Sequence, residues 1–82
     1  MDYPIDFEQY AIEEIIDIVR FLNLLEQYDA TPKQVDVSLL KKSYAKYQSI
    51  LNNLSEEKRI DKAFESQTGI PIYKTMKKIN TP

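Results

Sequence analysis

The chain has 82 residues, 13 acids against 11 bases, and neither cysteine nor histidine. Such a length makes one domain near the lower end of what folds without staples. The missing residue types exclude disulfides, thiolate or imidazole metal sites, thiol nucleophiles and histidine-based triads.

Charge is unevenly spread. Residues 1–30 carry eight acids against Arg20 alone, and residues 31–82 carry ten bases against five acids. The two halves can attract each other within the fold or orient a partner. The first residues lack the basic and apolar regions of a signal peptide, and the apolar run 15–25 is broken by Asp17, Arg20 and Asn23. Both features point to a soluble, cytoplasmic chain with no membrane association.

Residues 1–8 read as an extended arm. Pro4 disfavours helix at Tyr3, and Tyr3, Ile5 and Phe7 alternate as a strand-like segment laid across a core. Asp6 or a polar neighbour is a candidate cap for the first helix, expected over residues 9–28, and Glu8, Glu13 and Glu14 favour its positive end. At 100° per residue, Ile12, Ile15, Ile16, Ile18, Val19, Phe21, Leu22, Leu25 and Tyr28 sweep about 240° of its circumference, far beyond the stripe of a surface helix. Only a strip with Glu13, Asp17, Arg20 and Gln27 is polar. A helix this apolar needs cover on two or three sides, and the arm, a few positions upstream, is expected to close one of them.

Pro32 and the loss of periodicity mark a loop, after which Asp36 is placed to cap a second helix over residues 37–51. Its apolar positions Val37, Leu40, Tyr44, Tyr47 and Leu51 follow a 3-4-3-4 seam, which suits an antiparallel partner helix. Asn53 followed by Glu56 reads as a variant capping box opening a third helix, 54–66, that buries Leu54, Ile60, Ala63 and Phe64. Gly69, the single glycine, stands where a helix needs a left-handed residue to stop. Pro71 then opens a fourth helix, 71–79, with Ile72, Met76 and Ile79 on one face. The expected architecture is all-α: one domain over residues 1–82, a small antiparallel bundle of three to four helices with an extended N-terminal arm.

Three constellations bear on function. Glu13, Glu14 and Asp17 lie one turn apart, and Glu57, Asp61 and Glu65 recur every fourth residue. All-helical nucleotide pyrophosphohydrolases hold magnesium with paired Glu-x-x-Glu and Glu-x-x-Asp helices; Glu14 and Asp17 supply one such half and no second follows, so both groups read as solvated faces with no catalytic or metal site and no cofactor. Lys41, Lys42, Lys46, Lys58, Arg59, Lys62, Lys74, Lys77 and Lys78 offer a phosphate-binding surface. Glu56, Glu57, Asp61 and Glu65 interrupt it, and the isoelectric point near 5.0 is unlike that of a dedicated nucleic-acid binder. Of six tyrosines, Tyr44 and Tyr47 belong to the core seam, while Tyr3, Tyr10 and Tyr73 are the candidate partner-binding residues.

The chain also resembles the small YktA-like uncharacterised proteins of Gram-positive bacteria. The likeness runs from Tyr3, Pro4, Ile5, Asp6 and Phe7, through Glu13 to Val19, Phe21, Glu26 and Tyr28. It continues in Tyr44, Tyr47, Ile50, Glu56, Glu57, Lys58, Phe64, Glu65, Gly69, Tyr73, Lys77 and Lys78. The sequence departs from the pattern at Asn52, Asn53 and Leu54, at Ile70 where an aromatic commonly follows the glycine, and in a longer loop around residues 31–34. The resemblance implies an all-helical fold and brings no activity. The reading is therefore a small non-enzymatic protein that works by association with another protein or with itself; the alternative is a weak nucleic-acid-associated factor using the basic second half.

Overall fold

The computed structural model describes residues 8–80, and among these it is a bundle of four α-helices with no strand. They are α1 (Ile12–Ala30), α2 (Val37–Leu51), α3 (Leu54–Thr68) and α4 (Ile72–Asn80), with a 3-10 turn at Pro32–Gln34 between the first two. The arm with Tyr3, Ile5 and Phe7, and Asp6 as a cap, lie outside the described residues.

Each boundary has a local cause. α1 begins at Ile12, three residues later than its expected start, behind Ala11. Alanine has no side-chain acceptor, so only half a capping box forms: the Ala11 amide donates to Glu14 Oε1 at 2.8 Å. α2 is capped as expected, Asp36 accepting from the amides of Ser38 (2.9 Å) and Leu39 (3.4 Å). Asn52 closes α2 at φ 26°, and Asn53 opens α3 by accepting from the amides of Ser55 (2.9 Å) and Glu56 (3.3 Å). The reciprocal half of that box is missing because the Glu56 carboxylate turns to Tyr10 and Arg59 instead. α3 runs two residues past its expected end, to Thr68, and stops at Gly69 in the left-handed conformation (φ 78°, ψ 6°), whose amide donates to the Glu65 carbonyl at 2.7 Å. The Pro71 carbonyl accepts the first bond of α4, from the Thr75 amide at 3.0 Å, so proline precedes the helix by one position.

The core is centred where α1 meets α2. The Phe21 ring lies 4.7 Å from that of Tyr47 and 5.3 Å from that of Tyr44, both tilted, and the two tyrosine rings are 6.2 Å apart. Such tilted packing adds to simple area burial. Ile18, Leu22, Leu25, Leu40, Ile60, Phe64, Ile72 and Met76 close around these rings. Ile79 packs half-buried beside Met76, giving α4 the face expected from its spacing.

The wide apolar arc of α1 is covered only in part. Ile18, Phe21, Leu22 and Leu25 are buried, whereas Ile12 is 76% and Ile16 49% exposed. Val37 and Leu54, expected in the core, are also exposed, at 37% and 67%. Ile12, Val37 and Leu54 are each the first residue of a helix. Each opens its helix with a side chain that no neighbouring helix covers. Ile72 is the exception, because Ile70 and Pro71 lead α4 directly into the core. No helix among the described residues is long and apolar enough to cross a membrane.

Candidate functional site

α4 positions the site. Ile72 and Met76 bury one face of this short helix, which turns Tyr73 outward, 62% exposed. Tyr73 stands between the ends of α2 and α3. With Gln48, Leu54, Glu57, Lys58 and Asp61 it lines a groove of about 430 Å³, within the range of binding clefts. Tyr73 also lines two more open depressions, one reaching Lys62, Glu65 and Lys74, the other Tyr44, Lys77 and Asn80.

Asp61 is half-buried in the groove. The hydroxyl of fully buried Tyr47 donates to its Oδ1 at 3.1 Å. Burial pushes the Asp61 carboxyl up to about 6; the Tyr47 bond works against that rise and neighbouring Glu57 adds to it. Glu57 is one turn N-terminal on α3 and takes only a long 3.5 Å contact from Gln48 Nε2. Among the described residues no cation lies within ion-pair distance of either carboxylate; the ion pairs of Asp17 with Arg20 and of Glu56 with Arg59 lie elsewhere. Burial also raises Tyr44 to about 12, with Glu57 and Asp61 adding to the rise. Tyr47 moves in the same direction, for the same leading reason. The Tyr47 hydroxyl is thereby held as a donor to Asp61.

A second polar cluster is spent on structure. Tyr10, in the turn before α1, donates to Glu56 Oε1 at 3.0 Å, and Arg59 Nε donates to Glu56 Oε2 at 3.0 Å. The Arg59 bonds hold Glu56 below the usual carboxylate range, while burial first and then Glu56 raise Tyr10 to about 12. This cluster ties the chain entering α1 to a helix 46 residues away.

Of the three candidate tyrosines, Tyr73 is therefore exposed in the groove and Tyr10 is half-buried with its hydroxyl on α3. Tyr3 lies outside the described residues. The sequence does not mark Asp61 and Leu54 as groove residues: the spacing of the first suggests a solvated face and that of the second the core, yet both line the groove. No three acidic side chains among the described residues converge as a metal site.

The UPF0223 profile, an uncharacterised protein family, matches residues 1–81. The chain belongs to this family. It is 38% identical over 74 residues to the UPF0223 protein of Streptococcus mutans, covering 90% of this chain and 77% of that one. Against the UPF0223 protein of Oceanobacillus iheyensis the identity is 38% over 76 residues, covering 93% and 83%. Against that of Bacillus cytotoxicus it is 36% over 76 residues, covering 93% and 82%. No solved structure matches. The small Gram-positive family expected from the sequence is thus the right one, under the UPF0223 description.

Proposed function

We propose that this UPF0223 protein works without catalysis, by association with another protein, and that the groove around Tyr73 is the contact surface. The observation that carries the reading is the pairing of Tyr73, 62% exposed, with Leu54, 67% exposed, across one groove. An exposed tyrosine flanked by an aliphatic side chain and ringed by polar groups is the composition of an association hot spot, with an apolar centre and a polar rim. Tyrosine supplies a large contact area with few rotatable bonds to immobilise.

A photo-crosslinking phenylalanine analogue in place of Tyr73, in the native host, tests the surface. The control carries the same analogue at Asn23, which is exposed on α1. A discrete protein adduct from position 73 and not from position 23 is the expected result. Identical adducts from both positions, or none from position 73, would refute the assignment.

A further inference from the structure

We propose that the groove receives an arginine side chain of the partner, flanked in the partner's sequence by a bulky aliphatic residue; this rests on the association surface proposed above. The groove's lining combines an aromatic side chain, Tyr73, and an aliphatic one, Leu54, with two carboxylates on successive turns of α3, Glu57 and Asp61. Against these two acids this groove's lining holds one cation, Lys58, which is exposed and makes no ion pair with either acid among the described residues; Lys62, Lys74 and Lys77 line the neighbouring depressions and not this groove.

The acids are under-used. Tyr47 engages one oxygen of Asp61 and leaves the other available, and Gln48 holds Glu57 only at 3.5 Å. A guanidinium matches this arrangement better than an ammonium. It is planar and stacks on a phenol ring, it is weakly hydrated, and its fork of donors reaches two acceptors at once. It would also relieve the repulsion between Glu57 and Asp61. The aliphatic neighbour would cover Leu54. An acidic segment would instead meet the two carboxylates of the lining, which is why the partner's charge is assigned as positive.

The test is an amide-resolved NMR titration of the full chain with three blocked tripeptides: leucine–arginine–leucine, leucine–glutamine–leucine and leucine–glutamate–leucine. The arginine peptide should bind about tenfold more tightly than the glutamine peptide, with shifts centred on Tyr73 and Asp61, and the preference should shrink as salt is added. The double variant Glu57→Gln/Asp61→Asn should bind the arginine and glutamine peptides equally. Its amides keep the shapes of the acids, and an unchanged spectrum away from the groove checks its fold. Tyr73→Ala should weaken both peptides. Equal binding of arginine and glutamine by the parent overturns the arginine assignment, as does tighter binding of glutamate; shifts still centred on Tyr73 would then leave the association surface standing. If no peptide moves the groove amides, the arginine assignment falls, and the crosslink from position 73 decides the surface on its own.

Discussion

Replacing Asp61 by asparagine should stabilise this protein at neutral pH. Burial and Glu57 lift the Asp61 carboxyl from 3.8 to about 6 in the fold, so its ionised form is disfavoured there relative to the unfolded chain. A tenfold change in proton affinity is worth about 1.4 kcal/mol, which sets a ceiling of roughly 3 kcal/mol; because Asp61 is only half-buried, solvent screening reduces this to about 1–2 kcal/mol. The sign follows from proton counts. Above pH 6 both states are ionised and the folded state bears the whole penalty. Between about pH 6 and pH 4 the folded state takes up a proton that the unfolded state does not, and the penalty disappears. Asparagine keeps an oxygen for the Tyr47 hydroxyl and has no charge to bury. Urea melts of parent and Asp61→Asn from pH 4 to pH 8 should show the variant more stable by about 1–2 kcal/mol at pH 7.5, converging on the parent near pH 4. Glu56, lowered by Arg59, changes stability in the opposite sense, but it is common to both proteins and cancels in the difference. An asparagine variant less stable than the parent at pH 7.5, or a difference that does not change with pH, would refute the account.

Gly69→Ala should cost about 1–2 kcal/mol, read as a thermal midpoint lower by roughly 4–16 °C; nothing lies within 4 Å of the added carbon, so the cost is backbone strain at φ 78° alone. Tyr10→Phe should cost about 0.5–1.5 kcal/mol in a denaturant melt through loss of the Glu56 bond, with the pH dependence of Glu56 moving toward that of an ordinary carboxylate. Phe21→Ala removes the ring that meets both Tyr44 and Tyr47 and should cost about 3–5 kcal/mol, enough to unfold much of a domain of this size at 37 °C. Deleting residues 1–7 should lower the thermal midpoint at every protein concentration if the arm closes the open side of α1; a midpoint equal to that of the parent would remove the arm from the core.

The helices were legible because their periodicity and their punctuation agree. Asp36, Asn53, Gly69 and Pro71 mark ends that the apolar spacing alone would leave loose, and the structure uses all four. What periodicity could not supply is where a stripe runs past its neighbour. Ile12, Val37 and Leu54 carry the right residue type in the right phase, yet each is the first residue of its helix and stays exposed. Asp61 was hidden for a different reason. Carboxylates at every fourth residue look alike whether solvated or partly covered, and here the cover comes from residues of α2 and α4 that no local pattern links to α3.

One signal did point to Asp61. A tyrosine on a core seam needs an acceptor for its hydroxyl, and Tyr47 lies on the tightest part of the seam of α2. α2 and α3 are joined by only Asn52 and Asn53, which brings the first turns of α3 back toward Tyr47. The residues there that can accept strongly are Glu56, Glu57 and Asp61, and Glu56 is drawn off by Arg59 three residues on. Of the remaining two, Tyr47 takes Asp61. The buried hydroxyl thereby holds a carboxylate in the lining of the groove. The same contact that completes the core of α2 gives the Tyr73 groove its charge, and any partner that docks there must answer that charge or displace it.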